Sequence, residues 1–160
     1  MKFVVDGMLG KLARWLRMLG HEVEYDPGLN DNDLLELARK NQAMLLTRDE
    51  ELQRRGHAGR VQASLVKGNT EEERLAEMAR EYGLKLVVDM ASTRCPKCGG
   101  VLGQVSPNEI ADKVPPTSLK LYHEYWKCTD PGCGKIYWRG SHWKQIDLML
   151  ANARKLLEAP

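Results

Sequence analysis

Between Lys2 and Asp89 the chain repeats one pattern: a short apolar run, an aspartate at or just past its end, then a stretch with helical spacing. Phe3-Val4-Val5 ends in Asp6, His21 to Asp26 alternates polar and apolar residues, Met44 to Leu46 leads into Thr47-Arg48-Asp49, and Lys85 to Asp89 closes the series. Val61 to Val66 reads as a further strand. Helical patterns separate these runs, and strands alternating with helices predict a parallel sheet covered on both faces, because a parallel connection needs a crossover. In the first helix Leu9, Leu12, Ala13 and Leu16 share one face, while Lys11, Arg14 and Arg17 are expected on the opposite one, where Arg14 and Arg17 could meet a polyanion. Gly20 should end that helix. Asn30 or Asp31 can cap the next, a short polar helix follows to Arg55, and Thr70 with Glu73 fits a capping box opening a helix to about Tyr82.

From Arg94 the grammar changes. All four cysteines lie here, as Cys95-Pro-Lys-Cys98-Gly and Cys128-Thr-Asp-Pro-Gly-Cys133-Gly, with 29 residues between the two knuckles. Four thiolates so spaced can surround one tetrahedral Zn²⁺ at about 2.3 Å, and a four-cysteine site is closed, so its metal would stabilise rather than react. Two disulfides are the alternative, but nothing else points to an oxidising compartment. Short strands are expected at Val101 to Val105 and Tyr122 to Lys127, a loop at Pro115-Pro116, and a final amphipathic helix capped by Ser141 and running through Ile146, Leu150, Ala153 and Leu157. Two units are therefore expected, residues 1–92 and 93–160.

Charge separates them. Residues 1–92 hold 14 Lys and Arg against 16 Asp and Glu, and residues 93–160 hold 10 against 6, although the whole chain is only +2. The basic ribbon interleaves Lys97, Lys127, Lys135 and Arg139 with Tyr122, Tyr125, Trp126, Tyr137 and Trp138, a mixture suited to phosphate contact and base stacking and equally to filling a small core. No segment approaches the roughly 18 apolar residues of a membrane span and the N-terminus lacks a secretory plan, so a cytoplasmic protein is expected.

In a doubly wound sheet the ligand crevice lies at the carboxyl ends of the strands. Asp6, Asp26, Asp49 and Asp89 are expected there, with Asp31 and Asp33 at the start of the next helix able to join them. One such aspartate is usually a turn residue, but several converging would need a cation or a shared proton. Oxygen ligands favour Mg²⁺ or Mn²⁺, which can activate water against a phosphodiester. Glycine-rich phosphate loops, a G-x-S-x-G elbow and H-E-x-x-H do not occur in the sequence.

The segments FVVDGMLGKLARWLRMLGHEV, LLTRDEEL, RCPKCGG and YWKCTDPGCGKIYWRGSHW, in that order, closely resemble the Mut-seven C-terminal RNase domain family, a PIN-like branch fused to a zinc ribbon. The resemblance implies an α/β, PIN-like doubly wound sheet followed by a small zinc ribbon and C-terminal helix, and a metal-dependent ribonuclease acting on RNA. It implies Asp6, Asp31 and Asp49 as the acidic Mg²⁺ or Mn²⁺ ligands, with Asp33 able to replace Asp31. It places Arg48, Arg14 and Arg17 on the substrate side. Gly140-Ser141-His142-Trp143 also fits, His142 being a general acid, an RNA contact or, preferred, a hydrogen-bonded structural residue. The competing reading is a non-catalytic zinc-ribbon RNA-binding or adaptor protein. Whether RNA or DNA is preferred stays open, as do protein partners.

Overall fold

The computed structural model describes residues 1–159. Strands β1 (Lys2–Val5), β2 (Glu22–Tyr25), β3 (Met44–Thr47) and β4 (Ala63–Leu65) form a parallel sheet in the order β2-β1-β3-β4. The connecting helices are α1 (Gly10–Met18), α2 (Asp31–Asn41) and α3 (Glu50–Ala58), and α4 (Glu71–Tyr82) follows β4. Alternate residues of a strand point to opposite faces, and both faces here are covered. Phe3, Val5 and Leu46 pack with Leu12 and Leu16 of α1 and with Leu75 and Met78 of α4. Val4, Leu45 and Ala63 pack with Leu34 and Leu35 of α2 and Leu52 of α3.

Local chemistry sets the boundaries. The Thr70 hydroxyl accepts from the Glu73 amide while the Glu73 carboxylate reaches back to the Thr70 amide, the expected capping box. Gly20 adopts φ +94°, and its amide donates to Arg17 O at 3.0 Å, ending α1 as expected.

The apolar run Lys85 to Asp89 is not a strand. Residues 83–89 lie outside the sheet, with Leu84 and Leu86 buried against the α1 and α4 core. The Leu86 carbonyl accepts from Arg154 Nη1 at 2.6 Å, so a helix side chain takes the place of a strand partner. Alternating burial is the pattern of a strand, but it also suits an extended segment laid across helices.

Beyond residue 93 an antiparallel sheet of β5 (Leu102–Val105), β6 (Tyr125–Cys128) and β7 (Ile136–Tyr137) carries the knuckles. Two short helices, α5 (Pro107–Ile110) and α6 (Pro116–Leu121), lie between β5 and β6. Pro116 opens α6 where only a loop was expected, because a first helical turn needs no amide donor there. Ile110, Val114 and Tyr125 make a separate small core, with Trp138 against it. The final helix, α7 (Trp143–Glu158), places His142 rather than Ser141 at its N-cap. Its Leu150 and Ala153 are buried in the α1 and α4 core. The chain therefore leaves the α/β unit, builds the ribbon, and returns.

Candidate functional sites

The strand order places the topological switch between β1 and β3, since β2 lies outward of β1 and β4 outward of β3. A crevice at that point, off the carboxyl ends, is where open α/β sheets bind ligands. Asp6 follows β1 there, its amide donating to Leu46 O at 3.0 Å. Asp6 Oδ1 accepts from the Gly7 amide at 2.7 Å, and Oδ2 accepts from Thr47 Oγ1 at 2.7 Å. Thr47 Oγ1 in turn accepts from the Asp49 amide at 3.0 Å. One fully buried hydroxyl thus links the Asp6 carboxylate to the backbone of Asp49. Thr47 was not singled out from the sequence; its signal was its place as the last residue of a strand directly before Arg48-Asp49.

The remaining carboxylates are used locally. Asp49 Oδ1 caps α3 by accepting from the Glu51 and Leu52 amides at 2.9 and 3.3 Å. Asp31 Oδ2 lies 3.6 Å from Arg55 Nη1. Asp33 is exposed on the first turn of α2, and its amide donates to Asn30 Oδ1. Asp26 and Asp89 accept from the amides of Gly28 and Ala91 at 2.9 Å in exposed turns. Among the described residues, the four cysteines are the group of three or more His, Cys, Asp or Glu side chains whose ligand atoms close to within 4.8 Å; Asp6, Asp31 and Asp49 do not. The structure joins Asp6 to Asp49 through Thr47 and leaves Asp31 with Arg55.

The arginines divide. Arg14 is exposed on α1. Arg17, expected on the same solvent face, is only 5% exposed. Its Nε and Nη2 donate to Val23 O, and its Nη1 donates to Pro96 O at 3.1 Å and Lys97 O at 3.3 Å. Burial lowers its pKa, and the neighbouring Cys98 and Cys95 oppose that shift. The cause of the correction is β2 and the first knuckle, which cover this side of α1. Arg48 is likewise engaged, donating to the Val66 and Gly68 carbonyls and to Asn69 Oδ1, and so fixes the 66–69 loop.

At the ribbon, Cys95 and Cys133 Sγ lie 3.8 Å apart and Cys98 and Cys128 Sγ 3.4 Å apart. A disulfide needs about 2.05 Å, whereas four sulfurs at about 2.3 Å from one ion stand at such separations. Gly99 and Gly134, each following the second cysteine of a knuckle, adopt φ +83° and +64°. A Cβ on Gly100 would meet Cys128 Sγ at 2.9 Å, so the backbone passes too close to the sulfurs for a side chain. Burial alone would raise the Cys95 thiol, but the Tyr137 hydroxyl 3.0 Å away and the Cys98 and Lys97 amides bring it to about 7. Burial pushes Cys128 up to about 12. The arrangement fits a closed structural zinc site, with thiol protons released as metal enters.

A family model, the Mut7-C RNAse domain, matches residues 1–150. The chain belongs to that family. The matched stretch contains Asp6, Thr47 and Asp49, all four cysteines and the first half of α7. No curated protein and no solved structure matches the chain. Membership in an RNase-domain family gives a nuclease-like role and RNA as the substrate class. Among the described residues no helix is long and apolar enough to cross a membrane.

Proposed function

We propose that this protein is a ribonuclease whose hydrolytic centre is the β1–β3 crevice, with Asp6 as its principal carboxylate and Asp49 beside it. The observation that carries the reading is the Asp6–Thr47–Asp49 linkage at the switch point of a Mut7-C RNAse-domain chain. Hard oxygen donors suit Mg²⁺ or Mn²⁺, and Mg²⁺ is commonly held by one or two carboxylates with waters and substrate phosphates completing its shell. Asp6 and Asp49 are therefore sufficient donors, and Asp31 stands outside them, paired with Arg55. Such an ion, when bound, supplies a water of lowered pKa and neutralises charge on the phosphodiester. The residues contribute orientation: Gly7 N–H and Thr47 Oγ–H fix both oxygens of Asp6, so its charge points one way before substrate arrives. The zinc ribbon holds its own fold and adds basic surface for RNA.

Purified protein should cleave single-stranded RNA with Mn²⁺, and Asp6→Asn should abolish that cleavage. Asp49→Asn should weaken it by a smaller factor, because Asn keeps the helix cap. Full activity in Asp6→Asn would refute the centre.

A second reading has its own support. Asp49 is satisfied as a cap and Asp31 as an ion-pair partner, as in an RNA-binding or adaptor protein whose carboxylates are structural. RNA binding without metal-dependent cleavage, and a melting temperature indifferent to Mn²⁺, would establish it.

A further inference from the structure

The ribbon does not pack near the carboxylate crevice. Thr93 Oγ1 donates to Met18 O at 2.6 Å, the Arg94 amide donates to Arg17 O at 2.9 Å, and Arg17 holds the first knuckle. All three contacts lie at the far end of α1. Nine helical residues at 1.5 Å each separate that end from the start of α1 beside the crevice, about 13 Å. At this junction of α1, the 89–96 loop, β7 and the start of α7 lies a cavity of about 390 Å³, within the roughly 300 to 1,000 Å³ of small-molecule sites. Met18 and Ile146 contribute apolar surface, and Tyr137, Trp138 and Trp143 contribute rings. Cations sit against two of those rings: Lys135 Nζ is 5.4 Å from the Tyr137 centroid and Arg139 Cζ 5.7 Å from that of Trp143.

The rings have unequal structural duties. Tyr137 faces Cys95, and Trp138 packs on Tyr125 in the ribbon core. Trp143, at the first position of α7, is only partly buried and belongs to none of the three cores. His142, expected to be a hydrogen-bonded structural residue, is exposed, makes no side-chain hydrogen bond among the described residues, and stands edge-on to Trp143 at 6.4 Å. A flat partly open ring, a second ring beside it, Lys135 in the lining and Arg139 over the Trp143 ring suit a planar π-system joined to phosphates. An apolar peptide would make no use of the exposed Lys135 and Arg139, whereas a phosphate backbone pairs with both.

We infer that this cleft receives an unpaired nucleobase of single-stranded RNA, stacked on Trp143 with its flanking phosphates toward Lys135 and Arg139. The inference rests on RNA being the substrate proposed above. At 3.4 Å per stacked nucleotide, about 13 Å corresponds to about four nucleotides between the held base and the bond at the crevice. The cleft therefore acts as a remote grip that short fragments cannot reach while occupying the crevice.

The test is binding of 5′-labelled oligouridylates of 2 to 12 nucleotides to zinc-loaded, full-chain Asp6→Asn protein, followed by anisotropy and by tryptophan quenching without added Mn²⁺. Affinity should step upward once the oligomer exceeds about four nucleotides. Trp143→Ala should weaken 12-mer binding roughly 5- to 150-fold, the range for one lost stacking partner, and Trp143→Phe should restore most of it. Lys135→Glu, at an exposed position that spares the fold, should weaken binding and flatten its salt dependence. Unchanged 12-mer affinity in both Trp143→Ala and Lys135→Glu overturns the inference, as does quenching by an apolar peptide with none by RNA. Cleavage plays no part in these readouts. Trp143-dependent binding by a wild-type chain that never cuts RNA would refute the nuclease reading and leave the cleft assignment standing.

Discussion

Replacing Arg17 with methionine separates a buried tie from a solvated charge. The side chain keeps its apolar length, but the Val23, Pro96 and Lys97 carbonyls lose their guanidinium donors. Hydrogen bonds from a charged donor contribute about 1.5 to 3 kcal/mol each. Relief of the buried cation's desolvation offsets part of the loss, leaving a net cost of about 3 kcal/mol. For a chain of this size that lowers Tm by about 6 to 12 °C. Urea unfolding of the zinc-loaded protein gives the free energy, and transfer of zinc to a colorimetric chelator should be faster in Arg17→Met, because two of the lost bonds hold the peptide between Cys95 and Cys98. Arg17→Lys should fall between the two, since one ammonium cannot reach β2 and the knuckle together. Arg14→Met, three residues away and exposed, should stay within about 0.5 kcal/mol of wild type. Equal stabilities and equal zinc-release rates for Arg17→Met and Arg14→Met would refute the reasoning, because both would then be surface charges.

Thr47→Val keeps the shape of a fully buried side chain but removes the donor to Asp6 and the acceptor for the Asp49 amide. It should cost about 1.5 to 3 kcal/mol in urea titration and sharply reduce Mn²⁺-dependent cleavage, whereas Thr47→Ser should retain both; equal activity in the two variants would show that the hydroxyl does not orient Asp6. His21, which meets the Phe3 ring edge-on at 5.8 Å, has its pKa lowered by burial from 6.5 to about 4. Between those values the unfolded chain takes up a proton that the folded chain refuses, so this residue's contribution is complete above about pH 6.5 and declines toward pH 4. Urea midpoints measured across that interval should fall less steeply in His21→Gln than in wild type, and identical slopes would remove His21 from the account.

The elements the sequence disclosed are those whose cause is local. The Thr70–Glu73 box, the Gly20 stop and the cysteine spacing each act within a few residues, and each stands in the structure as read. The parallel sheet was legible because strands and helices alternate along the chain, and because the central strands β1 and β3 are nearly continuous in apolar residues. Lys85 to Asp89 misled because periodicity reports which side of a segment is buried, and it does not report what supplies its hydrogen bonds. Arg17 misled for a related reason: the periodicity of α1 shows the face turned to the sheet but not that the knuckle eighty residues on would close over its flank. At the crevice the aspartates were visible as strand-end residues. The Asp49 cap of α3 is local, within reach of a reading of Asp49-Glu50-Glu51-Leu52, whereas the pairing of Asp31 with Arg55 depends on how α2 and α3 are placed, which no spacing encodes. A threonine ending a strand is ordinary until its neighbour at the end of β1 is known, so the role of Thr47 emerges only from the fold.

The return of α7 to the first core has a consequence for how the chain is made. Synthesis runs from the N-terminus, so the surface of Leu75, Met78, Leu84 and Leu86 is complete long before Leu150 and Ala153 exist to cover it. Throughout that interval the nascent chain carries an open apolar face, a site for chaperones or for aggregation. The cysteines are all translated within the same interval, so metal can enter the knuckles before α7 arrives. Zinc bound to the four sulfurs would fix the ribbon from which α7 starts, and so shorten the interval before Leu150 and Ala153 reach that face.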